Sequence, residues 1–215
     1  MFRSVFREVH VYRSLREEIA VAAARMIAED GIDYSTAKRK AVKQLLGTSA
    51  LPRGELLPDN GEIEEEVREY QALFMGETQP ARLRHLRELA VKVLAWLAPF
   101  DPYLTGPVWT GTAGEHTDIA IQCFTDSSKD VEIFLLNAGV EYEVGERPDF
   151  RGRGTVEALY FMRDKEGVMV CIYPPEALRG ALRANSDGRT DRGNAQALKR
   201  LLAATEVAAN QKGEE

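Results

Sequence analysis

The residues best suited to chemistry lie in the second half of the chain, where a predicted strand leads through Gly111 and Thr112 into a strand headed by Asp118. Side chains alternate between the two faces of a sheet, so a carboxylate at the end of a strand lies at the mouth of one face. Carboxylate oxygens are the ligands that Mg²⁺ prefers. After an intervening helix, the next predicted strand carries Glu141 and Glu143 on one shared face. The sequence leaves open which of these two would join Asp118.

The order of these features resembles the signature of the nucleotidyltransferase superfamily, the polymerase-beta-like fold. It stands here as a strand, the pair Gly111-Thr112, a polar loop and the sequence DIAI that begins at Asp118, followed by a helix and a further strand. The resemblance covers about Leu104 to Val144 and implies a small mixed sheet with flanking helices. The overall arrangement is also similar to a group of bacterial hypothetical proteins.

In that family, three carboxylates bind two Mg²⁺ ions and a nucleotidyl group is transferred from an NTP to a hydroxyl group. The resemblance implies that Asp118 and Glu141 or Glu143 are the catalytic and metal-binding residues of this chain. It implies too that backbone N–H groups near Gly111 and Thr112 bind the phosphates of the NTP. The acceptor would be RNA, a protein or a small molecule, and the cofactor would be Mg²⁺.

The chain departs from the family's pattern at Ala120, because the second carboxylate of the pair is replaced by a side chain that cannot bind a metal ion. Only five residues separate Thr112 from Asp118, and Glu115 or His116 in this loop could supply a substitute ligand. The alternative function is a catalytically degenerate fold that acts as a nucleotide-sensing or protein-binding module, with the helical half recruiting a protein partner. A toxin–antitoxin component is a third alternative.

Composition and charge exclude several other classes of protein. The chain has 215 residues, of which 44% are hydrophobic and 29% charged, and this composition is typical of a globular protein. Its 28 Lys and Arg residues against 34 Asp and Glu residues give a net charge of −6, which argues against a binder of duplex DNA. No apolar run reaches the roughly 18 residues that a membrane span requires.

Cysteine usage and motif content narrow the classes further. Cys123 and Cys171 lie in separate apolar segments without the C-x-x-C spacing of a zinc site, so we expect reduced core cysteines in a cytoplasmic protein. No Ser/His/Asp or Cys/His spacing supports nucleophilic catalysis. The G-x-x-x-x-G-K-[ST] loop of ATP-dependent ligases does not occur either.

The elements that must position these residues change in type near the middle of the chain. From Ser14 to Phe100 apolar residues recur at helical spacing, which predicts a helical region over residues 1–100. Ser35 is the predicted N-cap of the second helix. The four predicted helices end at Gly31, Leu46, Gly76 and Ala98.

The second half alternates between strand-like and helix-like segments. Strands are predicted at 103–110, 117–125, 140–144, 155–162 and 168–173, and helices at 126–138, 175–184 and 195–208. The predicted fold class is therefore α+β. It has an N-terminal helical bundle packed on a small mixed β-sheet domain of nucleotidyltransferase-like type, residues 101–210, with C-terminal helices. Residues 211–215 are predicted to be a disordered tail.

Overall fold

The computed structural model describes residues 14–48, 56–182 and 190–212. It divides the chain into two compact units, of which the first ends at Phe74 and the second begins at Met75. The fourth predicted helix, which we assigned to the helical region 1–100, therefore belongs to the unit that contains the sheet. Among the described helices, none combines the length and the apolar character needed to cross a membrane.

In its described part, the first unit consists of the helices α1 (Leu15–Asp30), α2 (Tyr34–Leu46) and α3 (Asn60–Phe74). α1 packs against both of the others through buried Ala, Ile and Val side chains. The side chains of Ser14, Asp33 and Asp59 accept hydrogen bonds from the free N–H groups at the three helix starts. The predicted cap of α2, Ser35, is wrong, because the Asp33 carboxylate accepts two such bonds and the helix begins earlier.

The second unit is built on a mixed sheet whose described strands number six. They are β1 (Pro102–Thr105), β2 (Ile119–Phe124), β3 (Tyr142–Pro148), β4 (Thr155–Arg163), β5 (Glu166–Tyr173) and β6 (Arg192–Gly193). Their order across the sheet is β3-β4-β5-β2-β1-β6, with β2 and β5 parallel and the other neighbours antiparallel. The predicted α+β class with a mixed sheet is confirmed.

The helices of this unit leave part of the sheet uncovered. They are α4 (Gln79–Trp96), α5 (Gly106–Thr110), α6 (Ser128–Asn137), α7 (Leu178–Ala181) and α8 (Ala195–Lys212). α4, α6 and α8 pack on one face and form the main core with it. On the other face, a smaller apolar cluster includes residues of α7. Toward the start of β2 this second face carries the exposed side chains of Asp118, Glu143 and Met162, and we call it the open face.

Five predicted segments differ from the structure. The strand predicted at 103–110 is wrong in its second half, since Gly106 takes a φ of 68° and Pro107 opens α5, and both residues suit a turn into a helix. β3 runs to Pro148, and the short β6 lies in a segment predicted as a loop. The predicted helix at 175–184 starts as a 3₁₀ turn, and its residues 183–184 lie outside the described part. α8 extends to Lys212, into the predicted tail, of which residues 213–215 are not described.

Candidate functional site

Asp118 stands directly before β2 on the open face, beside Gly167 of the parallel neighbour β5. A Cβ atom at position 167 would overlap the Asp118 carboxylate, so the glycine makes room for that side chain. Partial burial raises the pKa of the Asp118 carboxyl, the nearby charge of Glu166 raises it further, and Arg147 lowers it. A cation close to this carboxylate would therefore stabilise its charged form.

A cavity of about 830 Å³ opens at this end of the sheet. Its walls come from the loop after α6 and from β3, β4, β5 and the residue before β2. The walls combine acidic, aromatic and apolar side chains, and no described Lys or Arg lines the cavity. The residues that matter most for the chemistry of this cavity are Asp118, Glu141, Glu143, Tyr160, Met162 and Gly167. The three predicted carboxylates therefore do share one cavity.

The same three carboxylates are spread across the width of the sheet. β4 and β5 lie between β2 and β3, and the strand registers place Asp118, Gly167, Met162 and Glu141 in one row. Three strand spacings amount to about 14 Å along the sheet. Within the described residues, no group of three or more His, Cys, Asp or Glu side chains is placed to hold a metal ion. Magnesium binding by Asp118 with Glu141 or Glu143 stays a prediction.

The predicted phosphate-binding pair, Gly111 and Thr112, lies against α4. A Cβ atom on Gly111 would contact the Arg87 guanidinium of that helix, and α4 covers the opposite face of the sheet from Asp118. The N–H groups of Gly111 and Thr112 both donate to the carbonyl oxygen of Pro107, at 2.9 and 3.0 Å. These two donors are therefore already used inside the chain. Phosphate binding at this pair also stays a prediction.

A different glycine borders the open face. Gly106 follows β1 directly, and a Cβ atom on it would lie 3.6 Å from the Cβ of Ala120. Its neighbour Pro107 has no N–H group to offer a phosphate. Gly106 and Pro107 stand between β1 and the body of α5, whereas Gly111 and Thr112, which the sequence pattern placed directly after the strand, follow α5. We missed this because the β-branched and aromatic residues after Gly106 suggested that the strand continued.

The loop between α5 and β2 is fixed to α4 by polar contacts. Gln79 Nε2 donates to the carbonyl oxygen of Gly111 at 3.0 Å, and Arg82 Nη2 donates to the carbonyl oxygen of Glu115 at 2.8 Å. The side chains of Glu115 and His116, the predicted substitute ligands, are exposed. The loop is therefore held through its backbone.

A charged cluster that the sequence analysis missed connects α4 to the start of β5. Both Nη atoms of Arg82 donate to the Glu166 carboxylate, with Nη2 and Oε2 2.6 Å apart, and His85 Nε2 lies 3.1 Å from Oε1. The hydrogen bond from Arg82 lowers the pKa of Glu166 although burial opposes it. The available signal was the spacing of Arg82 and His85, three residues apart on one helix face. Their acidic partner is 84 residues from Arg82 along the chain.

Comparisons with protein-family models, with curated proteins and with solved structures found no match for the chain.

Proposed function

We propose that this chain is a catalytically degenerate nucleotidyltransferase-like protein whose open face binds a basic, extended segment of a partner protein. The observation that carries the proposal is the cavity of about 830 Å³ next to Asp118, with three carboxylates and no described Lys or Arg in its walls. A polyanionic nucleotide is repelled by such a lining unless a cation accompanies it, whereas a basic side chain is attracted.

The neighbours of Asp118 support binding rather than transfer. Two residues further along β2, on the same face, the side chain is that of Ala120. The adjacent positions on β5 are Gly167 and Met169, which have no oxygen ligands. A two-metal centre needs several carboxylates converging on ions roughly 4 Å apart, so a single carboxylate at this point favours the degenerate form.

The edge of the sheet supports an extended partner. β3 pairs with β4 on one side and with no described strand on the other. A free edge can accept an additional strand through backbone hydrogen bonds, with alternate side chains entering pockets. Glu143 faces the cavity and the following residue, Val144, is 58% exposed on the opposite face. In a segment that alternates basic and apolar residues, the basic side chains would lie on the face of Glu143 and the apolar side chains on the face of Val144.

The test is a calorimetric titration of the full chain with a seven-residue peptide of alternating lysine and valine, equal in length to β3. The same titration with glutamate in place of lysine should give no binding. Exposed charge pairs contribute about 0.2–1 kcal/mol each. We therefore expect Asp118→Asn and Glu143→Gln each to weaken peptide binding by about 1.4-fold to fivefold. Glu69→Gln removes an exposed acid of α3 and should leave the affinity unchanged.

Nucleotidyl transfer is the second candidate function, and the position of Asp118 at the head of β2 on the open face favours it. In this form of the proposal, Mg²⁺ bound by Asp118 with Glu141 or Glu143 accompanies the NTP. The test is transfer of label from NTPs to RNA or protein in the presence of Mg²⁺. Transfer that disappears in Asp118→Ala supports this function, and tight peptide binding without transfer supports the binding module.

A further inference from the structure

A second cavity, of about 290 Å³, lies between α4 and α8. These helices pack on the face of the sheet opposite the open face, so this cavity is separate from the one beside Asp118. Much of its wall is formed by the apolar side chains of Pro80, Ala81, Leu83 and Leu202. Such a lining favours an apolar occupant of small size.

Arg87 of α4 lines this cavity although the residue is only 6% exposed. Its Nε donates to the carbonyl oxygen of Val108 at 2.9 Å and its Nη2 to that of Trp109 at 3.0 Å, so the side chain holds the end of α5. The structure shows no hydrogen bond from Nη1 to a described residue. Nη1 is therefore a donor of this cavity-lining side chain that has no partner in the described part of the chain.

The charge of Arg87 has no acidic partner in the described part of the chain. Burial lowers the pKa of its guanidinium, and no nearby carboxylate opposes that effect. The other charged residues of the cavity, Arg84 and Glu206, form an ion pair of 2.6 Å, and Arg84 also pairs with Glu88 at 2.9 Å, so neither of them is left to pair with Arg87. A buried charge without a counter-ion is unfavourable, and an anionic ligand would compensate it.

We propose that this cavity binds a small amphipathic carboxylate, with its head group on Arg87 and its aliphatic chain between α4 and α8. Arginine pairs with carboxylates through charge-assisted hydrogen bonds, and Nη1 has a donor free for one. A volume of 290 Å³ equals that of about ten water molecules at about 30 Å³ each. A linear carboxylate of about ten non-hydrogen atoms, such as octanoate, therefore fits the space.

The test is a calorimetric titration of the full chain with octanoate, octanol and octylammonium, each below its aggregation concentration. We expect octanoate to bind at least tenfold more tightly than octanol, and octylammonium to give no measurable binding. Equal affinities for octanoate and octanol would overturn the proposal, because Arg87 would then play no part. Absence of octanoate binding would overturn it as well.

Two sets of variants locate the ligand. Leu202→Trp fills part of the cavity while Arg87 itself is unchanged and should weaken octanoate binding at least tenfold, whereas Ala203→Trp changes an exposed neighbour on α8 and should not. Arg87→Met should remove the preference for octanoate over octanol. Because Arg87 also holds α5, that variant is first checked by circular dichroism. If Arg87→Met does not fold, the comparison of Leu202→Trp with Ala203→Trp tests the proposal instead. Unchanged octanoate binding in Leu202→Trp contradicts the proposal.

Discussion

Replacing Glu166 by Gln tests the charged cluster that connects α4 to the sheet. The Glu166 side chain is 14% exposed and that of Arg82 is 24% exposed, so solvent screens their ion pair only in part. Arg82 Nε already lacks a partner in the described part of the chain, and the variant removes an acceptor from its Nη atoms too. Hydrogen bonds to charged groups contribute about 1.5–3 kcal/mol, and a glutamine oxygen can keep one of them. We therefore expect the free energy of unfolding to fall by about 2 kcal/mol.

The assay is urea denaturation followed by tryptophan fluorescence at pH 7 and pH 3. Both tryptophans of the chain, Trp96 and Trp109, lie in the second unit, so their signal reports the unit that contains Glu166. A matched control is Glu88→Gln, which breaks an ion pair on α4 whose side chains are both more than half exposed. It should change the free energy of unfolding by less than about 0.5 kcal/mol.

The pH dependence follows from the lowered pKa of Glu166. The folded carboxyl binds protons less readily than the unfolded one, so its contribution to stability is complete above the ordinary glutamate pKa of 4.5. That contribution is lost as the pH falls through the lower, folded pKa. The difference between wild type and Glu166→Gln should therefore shrink between pH 7 and pH 3. A difference below about 0.5 kcal/mol at pH 7, or an equal difference at both pH values, would show that the Glu166 ion pair does not stabilise the fold in this way.

Three further predictions concern packing, capping and thiol reactivity. Gly193→Ala places a Cβ against the ring of Trp109 and should cost about 1–3 kcal/mol in denaturation experiments, with a smaller cost if Trp109 is first replaced by Leu. Asp33→Ala removes the N-cap of α2 and should lower stability by about 1 kcal/mol, measured by circular dichroism. Burial raises the pKa of Cys171 to about 11 and raises that of Cys123 as well. Both thiols should react with a disulfide reagent only after unfolding, and rapid labelling of the folded chain would contradict this.

Local signals in the sequence were sufficient for most helix and strand positions. Gly31 and Gly47 end α1 and α2 in the left-handed conformation that glycine favours, as their positions suggested. The two strands predicted at 155–162 and 168–173 also form, as an antiparallel pair joined at Asp164 and Lys165. The strand predicted through Trp109 failed because its β-branched and aromatic composition outweighed the helix-start signal of glycine and proline in the prediction.

The arrangement of the site depends on contacts that a local pattern does not encode. The predicted site brings Asp118 together with a carboxylate of the strand after α6, but β4 and β5 lie between that strand and β2. Strand order is decided by contacts between residues that are far apart in the chain. A local sequence pattern does not encode these contacts. For the same reason, helical periodicity over 80–98 could not tell that α4 packs on the sheet.

Whether the open face binds a basic peptide or a nucleotide is tested by comparing the alternating lysine–valine peptide with an NTP and Mg²⁺ as ligands of the same protein preparation. Calorimetry with wild type and Asp118→Asn, at about 0.1 M and 1 M salt, measures both affinity and charge dependence. If the open face is a binding module, peptide binding weakens in Asp118→Asn and at high salt, and no label is transferred from the NTP. Binding of the NTP with Mg²⁺, transfer that depends on Asp118 and no binding of the peptide would contradict this prediction.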